Sequence, residues 1–71
     1  MAWSTLSIRQ KRIARLVAEG NTSKEIGRTL FISVETVRKH RRNIFSQLGI
    51  HSASELAAYT HVFEDENTPS E

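Results

Sequence analysis

A chain of 71 residues without cysteine forms one small domain with no disulfide and no thiolate metal ligand, and it leaves little room for an enclosed catalytic cavity. It lacks an apolar run near the roughly 20 residues that span a bilayer and lacks a signal-peptide pattern, so we expect a cytoplasmic protein without membrane association. The net charge of +2 is unevenly spread: all ten lysines and arginines lie within residues 9–42 and five of the eight acidic residues within residues 53–71, which fits a polyanionic partner or a solvated surface equally.

The first predicted helix begins after Ser7, and residues 1–5 before it show no pattern and are expected to be a short leader. Ser7 and Gln10 have the three-residue spacing of a capping box, in which each side chain accepts a hydrogen bond from the other residue's backbone N–H. Apolar residues then recur at helical spacing as far as Val17. Gly20 indicates the end of this helix, because glycine readily takes the left-handed conformation that follows many helices.

Two further helix starts have the same spacing. Thr22 with Glu25 opens the second helix, and Ser52 with Glu55 opens the fourth. The last residues, 63–71, contain four acids, one proline and little apolar surface. We therefore expect them to form an acidic disordered tail.

The third predicted helix is the longest: Ser33 caps it, residues 34–48 form it and Gly49 ends it. The second helix, a turn at residues 31–33 and this third helix have the layout of a helix-turn-helix. Gly27 lies near the crossing of the two helices, where a small residue permits a close approach. Four helices without strand-like alternation predict an all-α fold, a four-helix bundle that contains the helix-turn-helix.

The third helix has an apolar face and a cationic face. At about 100° per residue, Val37 and Ile44 fall on one side, with Leu48 beside them. The opposite side presents Arg38, Lys39 and Arg42. Arginine and lysine side chains donate hydrogen bonds to guanine O6 and N7 in the major groove. This face therefore predicts DNA binding, and the alternatives are a solvated face or a helix lying on a membrane surface.

Two residues border the apolar face of the third helix. Arg41 is expected to extend along the bundle towards a phosphate or an acid. His40 is expected to be packed and hydrogen-bonded rather than bound to a metal, because His51 and His61 do not stand at ligand spacing with it. No catalytic or metal motif accompanies the serine, histidine and acidic residues of the chain, so we predict no enzymatic activity and no cofactor.

Six segments, in this order, carry a resemblance to the LuxR-type DNA-binding domain: Leu6–Arg9, Gly20–Ile26, Leu30–Ser33, Thr36–His40, Asn43–Ile44 and Leu48–Ile50. The resemblance covers residues 6–62. It implies a four-helix domain whose third helix reads the major groove of double-stranded DNA. Such domains end many quorum-sensing receptors and two-component response regulators. The resemblance therefore implies a bacterial transcription regulator, located in the cytoplasm at the nucleoid.

The resemblance also implies which residues touch DNA. The base contacts match Arg38, Lys39 and Arg42. The phosphate contacts come from the turn and the helix starts, and they match Thr22, Lys24, Ser33 and Thr36. No metal and no catalytic residue enters this set.

The fourth helix is commonly the dimer interface of such domains. In this chain it offers four residues for a homodimer on an inverted repeat: Leu56, Ala57, Tyr59 and Thr60. The alternative is that this apolar surface packs into the core of its own domain. RNA polymerase is a further expected partner.

The chain departs from the common residues of such domains at three positions. It has Arg12 where a glutamate is frequent, Ala53 where an arginine is frequent and Gly27 where an alanine is frequent. Gly27 is expected to cost up to about 1 kcal/mol of helix stability relative to alanine. No receiver or ligand-binding domain precedes Leu6, so we expect either the output domain of a longer protein or a stand-alone regulator.

Other functions remain as alternatives. A protein-interaction module that binds another regulator or RNA polymerase would suit the acidic tail, and a sigma-factor-like DNA-binding domain is related in kind. DNA binding that weakens steeply with salt supports the first interpretation. A stoichiometric protein complex that is insensitive to DNA supports an interaction module.

Overall fold

The computed structural model describes residues 3–59, and over this range the protein is entirely helical. A short 3-10 helix, Trp3–Thr5, precedes α1 (Ile8–Ala18), α2 (Ser23–Leu30) and α3 (Val34–Leu48). Residues 53–59 form the described part of α4. The predicted all-α fold is therefore confirmed. Residues 1–2 and 60–71, which include Thr60 and the predicted tail at 63–71, lie outside the described residues.

The predicted starts of α1 and α2 are confirmed, because both capping boxes are complete. The Gln10 N–H donates to Ser7 Oγ at 3.1 Å, and the Ser7 N–H donates to Gln10 Oε1 at 2.8 Å. The Glu25 N–H donates to Thr22 Oγ1 at 3.1 Å, and the Thr22 N–H donates to Glu25 Oε1 at 2.8 Å. Each pair satisfies two N–H groups that have no partner within the helix itself.

The start of α4 differs from the predicted capping box. The Glu55 N–H donates to Ser52 Oγ at 3.2 Å, as predicted. The Glu55 carboxylate, however, accepts at 2.8 Å from the backbone N–H of His51, one residue earlier than a capping box requires. The Glu55 carboxylate therefore holds the backbone at His51, one residue before the cap residue Ser52.

Both predicted glycine stops are confirmed. Gly20 has φ 98°, and the next residue, Asn21, donates its backbone N–H to the Leu16 carbonyl at 3.1 Å. The Asn21 side chain donates to the same carbonyl at 2.9 Å. Gly49 has φ 67° and ends α3. Glycine takes these positive φ values without the steric cost that a Cβ atom brings.

The core draws on all four α-helices. Its largest fully buried side chains are Ile13 of α1, Ile26 of α2, Val37 and Ile44 of α3, and Leu56 of α4. Full burial of such a side chain contributes about 1.5–3 kcal/mol to the free energy of unfolding. Each helix is thus held by at least one such residue. Among the described helices, none is both long and apolar enough to cross a bilayer.

The prediction that residues 1–5 are a leader outside the domain is corrected at Trp3. Its side chain is only 3% exposed and belongs to the core. Its carbonyl accepts a hydrogen bond from the Leu6 N–H at 3.2 Å, and its ring centroid lies 6.1 Å from that of Tyr59. The packing partner stands at the far end of the described chain, so no local pattern around Trp3 could indicate this contact.

The expectation that Leu56 lies on a dimer surface is also corrected. Its side chain is 0% exposed in the single chain, because it packs in the centre of the bundle. Leu56 therefore stabilises the domain itself, which was the alternative left open for this helix.

Candidate nucleic-acid interface

The two faces of α3 lie as their helical spacing predicts. Val37 and Ile44 are 0% exposed and form the inward face. Arg38, Lys39 and Arg42 are all exposed. Because the apolar residues fix the rotation of α3 on the bundle, the three cations share the outer surface of one helix. The structure thus brings together the residues predicted to contact bases.

The start of α3 presents two exposed hydroxyl groups. Ser33 Oγ accepts from the Thr36 N–H at 3.1 Å, so Ser33 is the cap, as predicted. The two hydroxyl oxygens are 2.9 Å apart and share one hydrogen bond. One of the two O–H groups is used in that bond, and the other is still able to donate. A phosphate oxygen is a suitable acceptor for such a group.

The start of α2 presents the other two residues predicted to contact phosphates. Thr22 and Lys24 are both exposed. The Thr22 hydroxyl already caps α2 through the Glu25 N–H, whereas the ammonium group of Lys24 supplies a mobile positive charge. These two residues precede and follow Ser23, whose side chain touches α3.

The contact between Ser23 and α3 is made by Arg41. Its Nη1 donates to Ser23 Oγ at 3.3 Å, and its guanidinium carbon lies 5.9 Å from the centroid of the Phe45 ring. Arg41 is half-buried and extends along the bundle, as expected, but it reaches a hydroxyl and a ring rather than an acid. His40 is half-buried, and the described residues give its ring no hydrogen bond, contrary to expectation.

The turn between α2 and α3 packs closely against the backbone at Gly27. A Cβ atom at this position would lie 2.8 Å from the carbonyl oxygen of Ile32, which is closer than real Cβ contacts. The Ile32 N–H donates to the Gly27 carbonyl at 3.0 Å and holds the turn against α2. The predicted need for a small residue at the crossing is confirmed. The expected advantage of alanine over Gly27 is opposed by this contact.

The turn contains a feature that sequence reasoning missed. Phe31 ends α2 with φ 60° and ψ 43°, in the left-handed region, and its side chain is 93% exposed. A bulky residue rarely takes this conformation. Glycine or asparagine would have marked the position, but phenylalanine gives no such signal.

The part of α4 that was predicted to form a dimer interface is only partly accessible. Ala57 and Tyr59 are half-buried, and the Tyr59 ring is tilted against Trp3. Ala53 and Ala58 are exposed on the same helix. The exposed residues of α4 within the described range are therefore mainly small ones.

The chemistry of the outer surface suits an oxyanion. Its cations and hydroxyls are donors, and no cluster of three or more His, Cys, Asp or Glu residues among positions 3–59 is arranged to hold a metal ion. Guanidinium, ammonium and hydroxyl groups donate to phosphate oxygens and to the acceptor atoms of guanine.

Comparison with known proteins gives a match to the GerE family model, described as bacterial regulatory proteins of the luxR family, over residues 4–60. The chain is 44% identical over 57 residues to the transcriptional regulatory protein LiaR of Bacillus subtilis (strain 168), covering 80% of this chain and 27% of LiaR. It is 42% identical over 59 residues to the Fimbriae Z protein of Salmonella typhimurium, covering 83% and 28%. It is 44% identical over 54 residues to the oxygen regulatory protein NreC of Staphylococcus aureus (strain JH9), covering 76% and 25%.

The chain therefore spans less than a third of the length of each of these relatives. The family match, in contrast, includes α1, α2, α3 and the described part of α4. It confirms the resemblance that the six sequence segments indicate, and it is a match to regulatory proteins rather than to an enzyme family. This chain belongs to the luxR family of bacterial regulatory proteins.

Proposed function

We propose that this domain binds double-stranded DNA in a sequence-specific manner, as a bacterial transcription regulator or as the output domain of one. The observation that carries the proposal is the division of α3 into a fully buried apolar face and an exposed face with Arg38, Lys39 and Arg42. A helix with such an exposed cationic face fits the major groove, which is about 12 Å wide. The relative LiaR is named a transcriptional regulatory protein, which supports the same role.

Base reading is assigned to the three cations. Arginine binds the O6 and N7 acceptors of guanine through two parallel N–H groups, and lysine reaches the same acceptors as a point charge. Arg38 and Arg42 lie about one helical turn apart, so we expect them to contact nearby base pairs. Lys39 is exposed beside Arg38 and adds a third donor to the same surface.

Phosphate binding is assigned to the two helix starts. Ser33 and Thr36 provide hydroxyl groups at the start of α3, and Thr22 and Lys24 flank the start of α2. Contacts of this kind set the position and angle of the recognition helix without reading sequence.

A second copy on the same DNA would raise specificity, because one domain reads few bases. We place this contact on α4, with Ala57, Tyr59 and Thr60 and without the buried Leu56. Two copies related by a twofold axis would bind an inverted repeat whose half-sites are about one helical turn apart. Because Leu56 is buried and the exposed residues described on α4 are mainly small, we expect the dimer to form on DNA rather than in solution.

The test is selection of binding sites from random duplexes, followed by footprinting and by ultracentrifugation with a full site and with a half-site. We expect a preferred inverted repeat, two proteins for each full site and an affinity that falls steeply with salt. One protein for each full site at saturation would remove the dimer. No sequence preference, together with a DNA-insensitive complex with another regulator or RNA polymerase, would favour the interaction module instead.

A further inference from the structure

Arg41 of α3 contacts the start of α2 and is the one lysine or arginine of α3 that is half-buried. Its charge is held by a neutral hydroxyl, Ser23 Oγ at 3.3 Å, and by the face of the Phe45 ring. Within residues 3–59 no carboxylate is paired with it, and two of the four acids there, Glu25 and Glu55, accept hydrogen bonds from backbone N–H groups.

Arg41 has cations among its sequence neighbours on both helices. Lys24 follows its hydrogen-bond partner, and Arg38 precedes it by one turn on the same helix. Ser23 is also the first residue of α2, where the helix dipole is positive and does not stabilise a cation. An anion near the contact between Arg41 and Ser23 would be attracted to a cation that no described carboxylate neutralises.

The guanidinium group is held in position and still has free donors. The ring of Phe45, 5.9 Å from the guanidinium carbon, is within the range of a cation–π contact. A guanidinium has five N–H groups, and the bond to Ser23 uses one of them. The remaining donors suit the two oxygens of a phosphate, which arginine binds through a fork of parallel hydrogen bonds.

We propose that Arg41 binds a phosphate of the DNA backbone while it keeps its bond to Ser23, so that one residue joins α2, α3 and the DNA strand. The proposal rests on the DNA binding proposed above and adds a contact that is absent from the set Thr22, Lys24, Ser33 and Thr36. In the free protein Arg41 links α3 to α2 through Ser23, and in the complex the phosphate neutralises its charge.

The test compares Arg41→Gln with Arg9→Gln, a control that removes one exposed arginine from α1. Affinity for the selected site is measured from low to high salt. We expect Arg41→Gln to bind about tenfold more weakly near 0.1 M salt, on every sequence alike, and its salt slope to fall by about 1. An unchanged slope with a lowered Tm would overturn the proposal and leave Arg41 as a link between helices only.

A second measurement separates the positive charge of Arg41 from its hydrogen bond to Ser23. Citrulline is an uncharged isostere of arginine, and chemical synthesis can place it at position 41, where it keeps the stem and the bond to Ser23. Duplexes with single neutral methylphosphonates are then scanned with both proteins. We expect one phosphate whose neutralisation weakens the arginine protein but not the citrulline protein. Parallel losses at every phosphate would overturn the proposal, whereas failure of the unmodified protein to bind any site would refute the proposed function itself.

Discussion

The inward and outward faces of α3 belong to one helix but determine different properties. Inward residues such as Val37 and Ile44 are fully buried and touch only the bundle. Outward residues such as Arg38 and Arg42 are exposed and contribute little to the core. We therefore expect the stability of the domain and its recognition of DNA to depend on different residues of this helix. Substitutions on one face should alter the free energy of unfolding, and those on the other should alter DNA binding.

The largest expected effect is on the inward face. Ile44→Ala should lower the free energy of unfolding by about 2–5 kcal/mol, because it leaves a cavity at a site that is 0% exposed. This is a large share of the stability of a small domain. Urea denaturation followed by circular dichroism measures it. Ser46→Ala, on the exposed side of the same helix, is the control and should change stability by less than about 0.5 kcal/mol. Equal effects of the two variants would mean that the faces are wrongly assigned.

The next effect is on the outward face. Single alanine substitutions of Arg38, Lys39 and Arg42 should each cost about 1–3 kcal/mol of binding free energy and relax the preference at one base pair. The Tm should stay unchanged, since these side chains are exposed. Binding to a panel of sites with single base changes provides the measurement. Wild-type affinity and preference in all three variants would contradict base reading by this face.

Ser33 belongs to both sides of the comparison, because it caps α3 and is proposed to contact a phosphate. Ser33→Ala should cost about 1 kcal/mol of stability through loss of the cap. Ser33→Asp keeps a capping oxygen but places a negative charge near DNA. We expect the aspartate variant to retain the wild-type Tm and to lose affinity on all sequences alike. An aspartate variant that binds DNA as well as wild type would remove Ser33 from the interface.

The sequence predicted the local structure because its signals are local. Ser7, Thr22 and Ser33 cap helices through residues three positions away, and Gly20 and Gly49 end helices through their own backbone freedom. These interactions need no knowledge of the rest of the chain. The rotation of α3 was predictable for the same reason, since its apolar spacing lies within one helix.

Other features depend on residues far apart in the chain, and periodicity could not show them. Trp3 is buried in the core, and its ring lies beside that of Tyr59. Leu56 was recognisable as apolar, but its spacing does not distinguish a core residue from a dimer contact. The bond from Arg41 to Ser23 depends on how α2 crosses α3, so sequence reasoning gave the direction of the side chain but not its partner.

The smallest expected effect concerns the turn that sets the angle of α3. Phe31 pays a steric cost of about 1–2 kcal/mol for its left-handed backbone, and its 93% exposed ring offers little packing in return. Phe31→Gly removes that cost but adds backbone entropy to the unfolded chain, so we expect a net gain in stability below about 1 kcal/mol.

The control is Ile8→Gly, which removes the other large exposed apolar side chain, in α1, and should not stabilise the protein. Paired urea denaturation curves make the comparison. Because Phe31 is not among the residues proposed to read bases, the preferred DNA sequence should be the same for Phe31→Gly and wild type. A clear loss of stability in Phe31→Gly would show that the ring, despite its exposure, holds the turn in place.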